Sequence, residues 1–529
     1  MMVKSTSAFA VLLQVVSVLH HVDASPTPSL TAAKSDVSVK VRGQTFINKG
    51  VVGFGLIPSD FRESTGDTLG GIGSAMTLKL GTWAKTSSGT YTGTLVMHPD
   101  RGFNVDGTVD VQGRRHEIDF VLTPYTDKKK LSFKDAQKTL QLTYRRSILE
   151  TERGDAPTSG LDPLAVRPPQ SGFPSIATAD PEMPIASNAE PHLTVDAEGI
   201  VANADGSFWV SDEYGPYIYR YSSEGKLLQT IQPPEAILPH DAAGFEGLTL
   251  DTMSSTLYAM LQTATIQDGG ADKTTSRFTR LFAFDVLSTT ARPSLIGEWV
   301  VPLPQSKNDK TRGCSEIIFV GPNLFLALAR DGNGRGDDDI DASYKHADLV
   351  DISQATNIRG SKFDNPANPV APGGKLDKSV TPATLTEFVD FIDKDQLARF
   401  GEPNDETLID AKWESFTLAP VDDPVFPNDY FLFIASDNDF ISTHGISLGQ
   451  PFNAGLDVDN QWIVVRVTLP TVAPCSIQAR THSPSTVISE DGVTDAVALP
   501  DTRADLLMIG KTGVDSEVDK HARTLKYER

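Results

Sequence analysis

Four glutamates recur in this chain in a shared setting. They are Glu198 in Asp196-Ala197-Glu198-Gly199-Ile200, Glu246 in Gly244-Phe245-Glu246-Gly247-Leu248, Glu316 in Ser315-Glu316-Ile317-Ile318, and Glu414 in Trp413-Glu414-Ser415-Phe416. An apolar run, a turn and a second apolar run follow each glutamate, ending at Asp212-Glu213, Gln262, Arg330-Asp331 and Asp437-Asn438-Asp439. Carboxylates repeated at one place in a unit either accept backbone N–H groups at a turn or converge on a common centre. Converging carboxylates repel one another unless they are protonated, hydrogen-bonded or neutralised by a cation. An all-oxygen donor set suits a hard divalent cation, Ca²⁺ or Mg²⁺, rather than zinc, which favours His and Cys. Glu198, Glu246, Glu316, Glu414 and Asp437 are therefore the expected metal ligands.

The elements that carry these acids read as strands. Short β-branched and aromatic runs broken by Gly, Pro, Asn and Asp are abundant, and helical periodicity is scarce. Successive glutamates stand 48, 70 and 98 residues apart. The first interval matches one propeller blade, and the others match a blade with insertions. The expected fold is an all-β propeller of about six blades, with five or seven open, counting weaker units near Val39 to Ile47 and Thr68 to Gly102. Its inner strands would bring the glutamates to the axis. Long Pro-rich insertions are expected at Glu152–Pro191 and Pro366–Pro382, and one short helix at Leu385–Phe400.

Within its 529 residues the chain is 39% hydrophobic, enough for a large core, and carries a formal net charge of −22. That charge argues against a nucleic-acid partner, whose phosphates need a basic face. An anionic substrate would need a bound cation or a local basic cluster. Residues 1–24 read as a secretory signal peptide, with the apolar run Ala8–Leu19 too short to span a membrane. Residues 25–38 read as a disordered leader, 39–510 as one propeller domain and 511–529 as a charged tail. The mature chain is expected outside the cell without membrane insertion, where Cys314 and Cys475 either pair or remain buried thiols. Gly445-Ile446-Ser447-Leu448-Gly449 matches a nucleophile elbow, but without alternating helices and strands the match reads as chance. The loop Arg330–Asp341 lacks two ligands of a calcium-binding EF-hand and reads as a solvated acidic turn.

Ser211-Asp212-Glu213-Tyr214-Gly215-Pro216-Tyr217, Gly244-Phe245-Glu246-Gly247-Leu248, and Arg330-Asp331 followed by Lys345 resemble the phytase-like family ("esterase-like activity of phytase"). The resemblance runs from about Gly53 to Thr468. It implies a secreted, propeller-like phosphoric-ester hydrolase, with Ca²⁺ by analogy with β-propeller phytases. On that reading the expected catalytic residues are Asp212, Glu213, Glu246, Arg330 and Asp331, and the expected binding residues for a small ester, phosphorylated or not, are Arg220, Lys345 and Tyr214. Ala329 and Gln262 stand where the family often has Glu, which leaves two anionic positions neutral. Two other readings use the same scaffold: a carboxylic-ester or lactone hydrolase, and a non-enzymatic binding propeller with a structural carboxylate ring.

Overall fold

The computed structural model describes residues 37–102, 110–170, 181–237, 244–289, 291–337, 339–401 and 410–472. The signal segment, nearly all of the leader, Cys475 and the tail lie outside the described residues.

Five antiparallel blades succeed one another. The first runs outward through Ala75–Leu78, Tyr91–His98, Arg114–Leu122 and Leu140–Leu149. The second comprises Ala197–Ala202, Phe208–Asp212, Ile218–Tyr221 and Leu227–Ile231. The third comprises Phe245–Asp251, Thr256–Leu261, Phe278–Asp285 and Ser294–Pro302. The fourth comprises Gly313–Gly321, Leu324–Arg330, Lys345–Asp351 and Thr384–Asp390. The fifth starts with Lys412–Pro420, Asp429–Asp437 and Asn460–Thr468 and is completed by Gln44–Ile57 and Val37–Val41 from the other end of the chain. The inner strands pack side by side in a closed ring.

Five blades form, within the expected five to seven and one fewer than the central expectation of six, because the unit near Val39 to Ile47 is not a blade. It pairs with Asn460–Thr468 and closes the ring. Strands sandwiched between blades are buried on both faces and so read as continuous apolar runs rather than alternations. Asp429–Asp437 is buried throughout. Trp83, Tyr91 and Phe120 of blade 1 pack on Phe431 and Phe433 of blade 5, with ring centroids 4.8 to 6.3 Å apart. The helix expected over Leu385–Phe400 is confined to Lys394–Arg399, because Thr384–Asp390 forms the edge of blade 4.

Each inner strand of blades 2 to 5 carries a β-bulge near its start, between Ala197 and Gly199, Phe245 and Gly247, Cys314 and Glu316, and Trp413 and Ser415. A bulge leaves one residue unpaired and re-aims its side chain. Glu198, Glu246, Ser315 and Glu414 are the unpaired residues. Further along the inner strands the channel narrows to a cavity of about 70 Å³ lined by Leu78, Ile200, Leu248, Ile317 and Phe416 among others. Among the described residues, no helix is long and apolar enough to cross a membrane.

Candidate functional site

The bulges bring Glu198, Glu246 and Glu414 together at one end of the channel, and the ends of the second strands add Glu213 and Asp437. Ligand oxygens of Glu198, Glu213 and Glu246 all lie within 4.8 Å of one another, as do those of Asp100, Asp196 and Glu198, and those of Asp100, Asp437 and Asp439. Glu198 and Asp100 each belong to two trios and so link the set into one acidic centre.

Its two halves differ in how the charge is met. Lys412, two residues before Glu414 on the inner strand of blade 5, places its Nζ 2.8 Å from Asp100 Oδ2, 2.9 Å from Asp437 Oδ2, 3.4 Å from Asp439 Oδ1 and 3.5 Å from Glu414 Oε2. Arg330 Nη2 donates to Glu414 Oε1. Burial pushes the Glu414 carboxyl up, but Lys412 and Arg330 more than offset it and hold the group below its ordinary range.

No ammonium or guanidinium pairs with Glu198, Glu213 or Glu246 among the described residues. Gln262 Nε2 donates to Glu213 Oε1 at 3.0 Å and also to Glu246 Oε1. Glu246 Oε2 and Asp100 Oδ1 are buried without a hydrogen-bond partner. Burial, then repulsion from Glu246, raises the Glu198 carboxyl well above its ordinary value. Burial, then repulsion from Glu213 and Glu414, does the same to Glu246. These crowded oxygens with orphaned lone pairs fit a hard divalent cation, which Glu198, Glu213 and Glu246 would hold.

The other expected site residues fall in different places. Glu316 is one residue past the bulge, and its Oε1 accepts from the N–H groups of Leu248 at 2.9 Å and Ile317 at 2.8 Å. It ties inner strands together, and Ser315 takes the ring position, with its Oγ 3.2 Å from Arg330 Nε. Asp212 is saturated by Asp196 N, Gly215 N and the Tyr219 hydroxyl, which pins the Gly-Pro turn behind Glu213. Asp331 and Lys345 form a network beside the centre: Asp331 Oδ2 accepts from Ser343 and Tyr344, and Lys345 Nζ reaches Asp331 Oδ1 at 3.3 Å and Ala411 O at 2.8 Å. Burial lowers the Lys345 pKa to about 8. Arg220 lies a strand further out, held by Asp205 and Ser207, and does not join the centre. Tyr214 is 42% exposed, with the Arg101 guanidinium 3.9 Å from its ring centroid. Cys314 is buried, has no disulfide partner among the described residues and lies with its Sγ 3.5 Å from Glu316 O, while its candidate partner Cys475 lies outside the described residues.

Sequence reasoning missed Asp100, Asp196, Arg101 and Lys412. Asp196 opens the first repeat and Asp100 a divergent one, so both were visible as acids without a register. Asp196 accepts from Arg101 N at 2.9 Å, and Arg101 Nε lies 3.3 Å from its Oδ2. Lys412 gave no repeat signal, because the other inner strands carry no cation at its position. Ser447 is no nucleophile: Leu448 and Gly449, both at positive φ, form the two-residue turn of a hairpin, and the Ser447 hydroxyl donates to Asp110 O at 2.8 Å.

A protein of Arthroderma benhamiae (strain ATCC MYA-4681 / CBS 112371), described as an "uncharacterized secreted protein", is 34% identical over 464 residues, covering 77% of this chain and 90% of that protein. Among solved structures, a luciferin-regenerating enzyme is similar at 11% identity and a TM-score of 0.28, covering 76% of this chain and 92% of that one. The WD40 domain of Toxoplasma gondii coronin is similar at 8% identity and a TM-score of 0.25, covering 81% and 90%. The model of the phytase-like family, described as "esterase-like activity of phytase", matches residues 82–440. With four bulged inner strands in a five-bladed ring, and Glu198, Glu246 and Glu414 gathered inside that matched span, the chain belongs to the phytase-like family.

Proposed function

We propose that the chain is a secreted hydrolase of phosphoric esters whose acidic centre works with a divalent cation, Ca²⁺ first among candidates. The observation that carries the reading is the uncompensated trio Glu198, Glu213 and Glu246, with Glu246 Oε2 buried and unpartnered. A cation there would supply Lewis acidity and a local positive field in a chain of net charge −22. The chain's own groups would do the rest. Glu198, Glu213 and Glu246 hold the cation, and Gln262 fixes two of those carboxylates in place. Arg330 and Arg101 stand at the edges of the centre, where a guanidinium can hold phosphate oxygens as a fork. Glu213 is the least buried of the trio, so the oxygen it does not give to the cation is the one placed to accept a proton from an attacking water. Tyr214 forms an exposed wall for the organic part of the substrate. Secretion is supported by the A. benhamiae relative, which is described as secreted, and by the signal-like residues 1–24.

A second reading, a binding propeller with a structural charge cluster, is favoured by Lys412, which already neutralises half of the centre from within. Assays of phytate, p-nitrophenyl phosphate, p-nitrophenyl acetate and simple lactones, each with and without EDTA, separate the readings. Phosphate release that needs a divalent cation and falls about a hundredfold in Glu246→Gln is expected. Activity indifferent to EDTA would sink the cation role, and turnover of carboxylic esters or lactones alone would move the reaction to that class. No turnover of any ester, with EDTA lowering only the Tm, would favour the binding propeller.

A further inference from the structure

A cavity of about 740 Å³ opens beside the acidic centre, between blades 3 and 4. Its walls come from three loops at the same end of the blades: the one after Leu261, the one leading into Gly313, and the one after Arg330. Its charge is opposite to that of the chain. Lys273, Lys310, Arg312 and Arg330 line it, against one carboxylate, Asp331, among the described lining residues. Asp331 is already engaged, since Arg312 Nη1 lies 3.3 Å from its Oδ2 and Lys345 Nζ 3.3 Å from its Oδ1.

Two of these four basic side chains are left unused by the protein itself. Lys273 and Lys310 are exposed, and neither ammonium has a hydrogen bond or ion pair among the described residues. The backbone sets them side by side, because Thr311 N donates to Lys273 O at 2.8 Å. Arg312 is held by Asp331 through Nη1 and donates from Nη2 to Ser343 Oγ at 2.9 Å, while its Nε is buried and has no hydrogen-bond partner. A space of this size suits a small ligand rather than a protein surface, and unpaired ammoniums beside a guanidinium suit an oxyanion. The cavity and the acidic centre are contiguous: Arg330 lines the cavity and bonds Glu414, and Gln262 lines it and bonds Glu213 and Glu246.

We propose that Lys273, Lys310 and Arg312 form an anion subsite that holds a second phosphate group of a ligand lying across the cavity and the acidic centre. Its role as a substrate subsite rests on the hydrolase reading above; its ability to bind a phosphate chain does not. Tripolyphosphate, titrated by calorimetry in EDTA so that no cation contributes, is the probe. Wild-type protein is expected to bind it, K273A/K310A to bind it about tenfold more weakly, and K128A/K129A, which removes two exposed lysines elsewhere, to match wild type. No binding by wild type, equal binding by K273A/K310A, or an equal loss in K128A/K129A would overturn the subsite. Lysine-dependent binding in a protein that turns over no ester leaves the subsite standing and removes the hydrolase. Turnover in which K273A/K310A treats mono- and bis-phosphorylated esters as wild type does removes the subsite and leaves the hydrolase.

Discussion

Asp100 and Asp196 show how the acidic centre couples to pH. Burial, with repulsion from Asp439, Asp196 and Glu414 and relief from Lys412, brings the Asp100 carboxyl up to about 7 from an ordinary 3.8. Burial and Glu213, against Arg101, bring Asp196 up to about 7 as well. The folded chain therefore keeps protons that the unfolded chain gives up between about pH 4 and pH 7. Unfolding releases protons in that window, so cation-free protein loses stability as pH rises through it and levels off above. A divalent cation offsets the ionised carboxylates, so it should raise the Tm more at pH 8 than at pH 5. Thermal scans across pH, with EDTA and with CaCl₂, check this, and a cation-free Tm that climbs from pH 4 to pH 7 would contradict it. Glu198, Glu246 and Glu414 were legible in the sequence because repetition marks them, whereas Asp100 and Asp196 were visible only as acids with no register to assign them to the centre. Lys412 was not, because a cation that answers a cluster has to match it in space and not in register.

The decisive element is the bulged start of the inner strand. Gly247 follows the bulge in blade 3, where a Cβ would come within 2.7 Å of Ile317 N and 2.9 Å of the Glu316 carbonyl carbon. Blades 3 and 4 approach along this seam because the side chain is missing. Gly247→Ala is expected to cost about 1–3 kcal/mol through strain in a packed seam, read as a lower urea midpoint. Gly332→Ala, where the nearest atom stands 3.9 Å from the added carbon, is expected to change it little. The same bulges explain the misplaced Glu316. A bulge shifts register by one residue, and one residue moves a side chain to another face. Spacing along the chain does not reveal which residue is skipped, so Ser315 and Glu316 exchanged roles.

At the scale of the whole molecule the ring is held shut by chain ends meeting in blade 5. Gln44–Ile57 hydrogen-bonds to Asn460–Thr468 and buries Phe46, Val51 and Phe54. A chain beginning after Ile57 would leave that partner strand as an open edge and lose those core contacts. Calorimetry should show no cooperative transition for it, and a retained sharp transition near that of a chain beginning at Val37 would show that closure is dispensable. The sequence by itself determined the strand-rich repeat, the acidic character of its turns and the family, because each is written in residue type and short-range spacing. Only the tertiary structure decided that there are five blades, since the first strands find their partners some 400 residues away. It also decided that Arg220 faces away from the centre and that Asp331 and Lys345 satisfy each other beside it. The opening repeat keeps Glu198 and Glu213 in the centre and gains Asp196, while Asp212 serves the turn behind them. Which carboxylates converge, and which are already paired, depends on contacts between blades, and no single stretch of chain contains them.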